Sequence, residues 1–148
     1  AQSIYNNLFA KELLISGVEQ LNLAPEKDKI DKLLSYAGLL LKWNKVFSLT
    51  AITEVDKIIT YHLLDGLTVI SNIGNCQNII DVGSGMGVPG VIIAIWCKEI
   101  QVTLLDSNQK KTTFLQQVAI ELKLNNLKVV NSRVENYIPV DKFNVIIS

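Results

Sequence analysis

A chain of 148 residues is long enough to bury one core and too short for two independent ones. Its 49% hydrophobic and 19% charged content excludes a disordered, collagen-like or coiled-coil polypeptide. Fourteen basic residues offset fourteen acidic ones, so whole-chain charge announces neither a nucleic-acid binder nor an acidic-surface protein, and any basic patch must be local.

Ser3 is placed to cap a first helix carrying Ile4, Leu8, Leu13 and Leu14, with Gly17 as its stop. Pro25 suits the first position of a longer amphipathic helix, in which Ile30, Leu33, Leu34, Ala37, Leu40 and Leu41 recur at helical spacing to about Trp43. Thr53, with acidic Glu54 and Asp56 behind it, opens a third. Ile58, Ile59, Leu63, Leu64, Leu67 and Ile70 form its apolar side, and the Asn72, Gly74, Asn75 cluster ends it. From residue 77 the pattern changes to short apolar runs, predicting strands over 78–82, 101–105, 127–131 and 143–147. Helical segments fall between them over 88–97 and 108–122, with a short one near Glu135. Strands alternating with helices imply an α/β fold built on a parallel sheet with right-handed crossovers. The last apolar run stops at Ser148 with nothing to cover it, so a C-terminally truncated chain is expected.

Cys76 and Cys97 lack the spacing of metal or redox sites, so reduced, partly buried thiols and no metal are expected. The longest apolar run, Val91 to Cys97, is much too short to span a bilayer. The first residues lack a basic segment followed by an apolar one, which points to the cytosol and away from a membrane.

The residues that carry chemistry begin at the first strand, where Asp81, Val82, Gly83, Ser84, Gly85, Met86 and Gly87 lead from strand to helix. Glycines at 83, 85 and 87 allow a tight turn and let a ligand touch backbone. The dinucleotide fingerprint needs glycine at 88, where this chain has Val88, and no Gly-Lys-Ser/Thr follows, which counts against NAD and nucleoside triphosphates. Asp106, nineteen residues after Gly87 at the end of the second strand, can accept both hydroxyls of a ribose, so adenosine fits. The bland alternative is that Asp106 caps the following helix.

These residues resemble the class I S-adenosylmethionine-dependent methyltransferases, whose first motif is an acidic residue, any residue, then GxGxG, here Asp81 to Gly87. The likeness narrows to the bacterial ribosomal RNA small-subunit methyltransferase G family, also called glucose-inhibited division protein B. Its segments are matched by Trp43-Asn44-Lys45, Leu49-Thr50-Ala51-Ile52, His62-Leu63-Leu64-Asp65, the run from Asp81 to Gly90, Leu104 to Ser107 with Lys110 and Phe114-Leu115, and Ser132-Arg133-Val134-Glu135. The resemblance implies a Rossmann-like sheet, incomplete here, with an N-terminal helical cap. Residues 1–75 would form the cap and 76–148 the first half of the cofactor domain, as one structural unit. Asp81 belongs to the cofactor motif by the same likeness. Gly83, Gly85, Gly87 and Val88 would line the methionine and ribose side of S-adenosylmethionine, Asp106 would hold the ribose, and Val134 with Glu135 would meet the adenine. The family has serine after His-Leu-Leu-Asp, where Gly66 stands here, a change expected to loosen that helix by about 1 kcal/mol.

The activity so implied is transfer of a methyl group to N7 of a guanine in small-subunit (16S) ribosomal RNA, free or in a ribosomal particle. Guanine N7 carries a free in-plane lone pair, so its attack on a sulfonium methyl removes no proton, and no catalytic base is nominated. Rate comes from orientation. RNA contact falls to Lys42, Lys45, Lys110, Lys111 and Arg133 through phosphates, and to Asn44 and His62 through a base or ribose. The complete protein is expected to be a monomer. The shortened chain is expected to bind cofactor weakly and methylate poorly, and its open sheet edge offers a route to self-association. A methyltransferase of another substrate, a non-catalytic adenosine-binding fragment and a dinucleotide dehydrogenase are the alternatives.

Overall fold

A computed structural model describes residues 7–137 and 143–147. Helix α1 (Leu8–Gln20) is capped by the Asn7 side chain, which accepts from the Ala10 N–H at 3.2 Å. Ser3 and Ile4, the expected start, lie outside the described residues. Gly17 does not end this helix. A Cβ there would collide with the Leu64 side chain, so the glycine lets α1 pack closely on the third helical segment, and the chain turns instead at Asn22 with φ +61°.

Helix α2 (Lys27–Phe47) starts two residues after Pro25 and runs one turn beyond Trp43, closing on Ser48 in the left-handed conformation. The longer run brings Phe47 beside the half-buried Trp43, which also packs on Phe114, with ring centroids 5.3 and 6.0 Å from its own. The third helix runs unbroken over residues 55–67 but changes its winding on the way. It comprises α3 (Val55–Ile58), a π-helical segment Ile59–Leu64, α4 (Asp65–Leu67) and a 3₁₀ turn Ile70–Asn72. Its buried residues come in pairs four apart, Ile58 with Ile59, His62 with Leu63, and Gly66 with Leu67. On a helix of 3.6 residues per turn a four-residue repeat drifts by about 40° per repeat. The wider π turn keeps the pairs on one face.

The second half forms a four-stranded, all-parallel sheet in the order β3-β2-β1-β4. Strands β1 (Asn78–Val82) and β3 (Leu127–Asn131) match the predicted bounds, and β2 (Gln101–Asp106) reaches one residue further. Helix α5 (Gly90–Trp96) begins two residues later than the apolar pattern suggests, after a cis Val88–Pro89 bond, and α6 (Gln109–Glu121) follows β2. Strand β4 (Val145–Ile147) is two residues shorter than expected, because the Asn144 side chain accepts from the Gln77 and Asn78 N–H groups at 2.7 and 2.9 Å and anchors the strand's entry.

Ile79, Val102 and Leu104 join α2, α5 and α6 in one continuous core, where Leu33, Leu34, Leu40, Phe114, Leu115 and Val118 are fully buried. Asn126 locks the lower end of this layer. Its amide donates to the carbonyls of Ala94, Cys97 and Ile100 at 3.1, 3.1 and 2.9 Å. Gly66 packs closely against α5, since a Cβ there would meet the Ile92 side chain, a contact separate from the cost of a glycine to the helix backbone. At the sheet edge, Ile146 pairs with Ile80 and is 72% exposed.

Candidate cofactor cleft

The loop after β1 is held on two sides. Toward β2, the Gly83 N–H donates to the Leu105 carbonyl at 2.7 Å and the Gly85 N–H to Asp106 Oδ2 at 2.9 Å. Toward the helical half, the Tyr36 hydroxyl donates to the Met86 carbonyl at 2.6 Å. The alternating glycines answer different demands. Gly83 has φ +74° and nothing within 4 Å of where a Cβ would stand, so it leaves bare backbone facing open space. Gly87, at φ +102°, turns inward, and a Cβ there would lie 2.5 Å from Val91 Cγ2, 3.0 Å from Leu115 Cδ2 and 3.1 Å from the Tyr36 hydroxyl.

A cleft of about 240 Å³ opens where the ends of β1 and β2 meet the segment after β3, lined by Val82, Gly83, Leu105, Asp106, Ser107, Ser132, Arg133, Val134 and Glu135. It brings together four of the residues expected to hold a cofactor: Gly83, Asp106, Val134 and Glu135. Gly85 adjoins them through its bond to Asp106, whereas Gly87 and Val88 pack against the core and do not line the cleft. Asp106 is half-buried. Its Oδ1 accepts from the Asn108 N–H at 2.8 Å and its Oδ2 from Gly85, which leaves a lone pair on each oxygen for a further donor. The helix-capping role belongs to Asn108, whose side chain accepts from the Lys111 N–H at 3.1 Å. Val134 opens a 3₁₀ turn and is 58% exposed, and Glu135 lies 4.0 Å from Arg133 Nη1 on the rim.

Asp81 stands behind the loop, 2% exposed, with Oδ2 accepting from the Gly90 N–H at 3.0 Å. Gly90 has to be glycine for this approach, since a Cβ would sit 2.7 Å from that oxygen. Burial pushes the Asp81 carboxyl up to about 7, the Gly90 N–H opposes the rise, and the negative charge of Asp106 adds to it.

The residues expected to touch RNA are spread over three places. Lys42 and Lys45 are exposed near the end of α2. Asn44 and His62 turn to one another's neighbourhood: Asn44 Oδ1 accepts from the Thr50 N–H at 2.7 Å, and Thr50 Oγ1 shares a 3.0 Å hydrogen bond with His62 Nε2. His62 is 8% exposed, and burial lowers its basicity. Lys110 is solvated at the start of α6, Lys111 is half-buried with Nζ 4.0 Å from the Cβ direction of Gly85, and Arg133 lines the cleft. Tyr36 escapes a reading by motif, looking like one more core position between Leu33 and Ala37. Thr50 lies within the Leu49–Ile52 motif, but its bond to His62 does not show there. Tyr36's place on the apolar face of α2 was the available signal, because a hydroxyl sent into a core needs an acceptor there.

Among the described residues no group of three His, Cys, Asp or Glu is close enough to hold a metal, and no helix is long and apolar enough to cross a membrane. In fold, the chain is similar to the crystal structure of coclaurine N-methyltransferase bound to N-methylheliamine and SAH. The TM-score is 0.54 at 14% identity, over 99% of this chain and 49% of that one. The sheet is thus of the Rossmann-like class I methyltransferase type. In sequence, the chain is 49% identical over 135 residues to the ribosomal RNA small subunit methyltransferase G of Pseudomonas aeruginosa, covering 91% of this chain and 63% of that protein. It is 48% identical over 125 residues to the protein of the same name from Neisseria meningitidis, covering 84% and 60%. The chain therefore spans about 63% of the length of the former relative. A family model described as rRNA small subunit methyltransferase G (GidB) matches residues 29–148, and by that match the chain belongs to the rRNA small subunit methyltransferase G family.

Proposed function

We propose that this chain carries the cofactor-binding half of a cytoplasmic S-adenosylmethionine-dependent methyltransferase that, as the complete protein, methylates N7 of a guanine in small-subunit ribosomal RNA. The observation that carries the reading is Asp106, with one free lone pair on each carboxylate oxygen at the mouth of a cleft floored by the bare backbone of Gly83. A pair of acceptors beside an open glycine floor fits a ribose diol. At about 240 Å³ the cleft is smaller than the ~300–1,000 Å³ that encloses a whole ligand, and suits the nucleoside end. Val134 would offer an apolar surface and its backbone N–H to the adenine, Glu135 an acceptor at the rim, and Asp81 a carboxylate behind the loop.

S-adenosylmethionine, when bound, supplies an electrophilic methyl on a sulfonium. This chain's residues hold and orient. Because guanine N7 attacks with a lone pair that carries no proton, no side chain need act as base, and the alignment of N7 with the methyl–sulfur bond supplies the acceleration. Lys42, Lys45, Lys110, Lys111 and Arg133 would take phosphates. Asn44 and His62 would reach a base or ribose if the α2 end and the π-helical segment open, and otherwise shape that surface through Thr50.

Calorimetric titration with S-adenosylmethionine, and separately with NAD, tests the cofactor reading. Binding of the first alone is expected, weakened at least 10-fold by Asp106→Ala and unchanged by Glu121→Ala on the exposed side of α6. Preference for NAD, or an affinity indifferent to Asp106, would overturn it. For the substrate, identification of the methylated nucleoside made by the full-length protein on small-subunit RNA decides, with 7-methylguanosine expected.

A further inference from the structure

The glycine loop receives a single hydrogen bond from the N-terminal helical half among the described residues, and it comes from Tyr36. The ring of Tyr36 is fully buried, 6.5 Å from that of Phe114. Phenylalanine would fill the same space, so packing alone does not call for the hydroxyl. Its acceptor, the Met86 carbonyl, lies between two anchored points: Gly85, tied to Asp106, and Gly87, whose N–H donates to the Ser84 carbonyl at 2.8 Å. The hydroxyl also stands 3.1 Å from where a Cβ of Gly87 would be, so it faces the space that the glycine leaves open beside its bond to Met86.

We infer that Tyr36 is a positioning residue for the cofactor loop: its hydroxyl fixes the Met86–Gly87 turn from outside the cleft, so that cofactor affinity depends on a helix that touches no cofactor. This rests on the S-adenosylmethionine reading above. Without the bond, the Met86 carbonyl is left to find another donor, and the turn is held from the β2 side only. Helix α2 also carries Lys42, Asn44 and Lys45 near its C-terminal end, so the same rigid element would connect the proposed RNA surface to the loop.

The test compares Tyr36→Phe, which keeps the ring, with Ile30→Val, a core change on the same helix away from the loop. Amide hydrogen exchange without ligand reads the loop directly, and titration with S-adenosylmethionine reads its consequence. Tyr36→Phe should speed exchange over residues 83–88 about 10-fold or more relative to the core strands and weaken binding about 5- to 20-fold. Ile30→Val should do neither, even where its melting temperature falls as far. Unchanged loop exchange in Tyr36→Phe, or equal weakening in both variants, overturns the inference. If the unaltered chain binds no S-adenosylmethionine, the cofactor reading fails while the exchange measurement still decides the role of Tyr36.

Discussion

Replacing Asp81 by asparagine removes a charge that the fold holds at a cost, and the size of that cost depends on pH in a calculable way. The carboxyl is raised from 3.8 to about 7, chiefly by burial. A carboxyl whose folded pKa lies above its unfolded value is protonated in the native state and ionised in the unfolded one across the interval between them, so stability is lost as pH rises through that window. At 1.36 kcal/mol per unit, the loss amounts to about 4 kcal/mol by pH 8 and about 2 kcal/mol by pH 5. Asp81→Asn keeps an oxygen for the Gly90 N–H and has nothing to ionise. Its amide adds a constant offset, which cancels when two pH values are compared. Urea unfolding of both proteins from pH 5 to 8 should show their stability difference moving in favour of the variant by about 2–3 kcal/mol. Parallel pH profiles for the two proteins would refute the reasoning. The same variant should bind S-adenosylmethionine more weakly, which would make the stability cost one borne for function.

The two kinds of glycine in the loop should separate under substitution. Gly87→Ala, with backbone strain and three close contacts, should lower stability by about 2–4 kcal/mol in chemical denaturation. Gly83→Ala, strained but unobstructed, should cost about 1–2 kcal/mol and affect cofactor affinity more than melting temperature. Asn126→Ala takes the side-chain donor from the Ala94 and Ile100 carbonyls, while the Cys97 carbonyl keeps the Ile100 N–H, and should destabilise by about 2–3 kcal/mol, measured the same way. His62, lowered by burial, binds its proton less readily folded than unfolded, so its contribution is lost as pH falls below the unfolded value of 6.5. His62→Gln should therefore remove part of the acid sensitivity below pH 6.5, opposite in sign to the effect of Asp81, and a variant unfolding with the same acid limb as the unaltered protein would count against it.

Strand positions were legible because β1, β2 and β3 are short apolar runs between turn residues, and a parallel sheet leaves that signature intact. Gly83 and Asp106 were legible from their spacing at the ends of successive strands, whereas Val134 and Glu135 entered only through the family resemblance; the fold brings all four to one cleft because parallel strand ends lie side by side whatever their sequence separation. Helix boundaries were harder to read for reasons that lie in other parts of the chain. Gly17 reads as a stop until Leu64 is seen to occupy the space its Cβ would need, and the close approach of Ile92 to Gly66 is equally invisible in the local pattern. The partners of Tyr36 and Thr50 are 50 and 12 residues away, beyond what local pattern can disclose.

The π-helical segment Ile59–Leu64 behaves as an inserted tooth in a gear. The extra width of this turn keeps Ile58–Ile59 and His62–Leu63 in phase, and the same residues wound as ordinary α-helix would turn one pair by about 40° relative to the other. That rotation would carry either Ile58 and Ile59 off the buried face or His62 away from its hydrogen bond with Thr50. Removal of the exposed Thr60 takes out the residue that the wide turn accommodates, so a chain one residue shorter here can wind as plain α-helix, and the π turn is the means by which this chain carries one residue more without losing the seat of either flank.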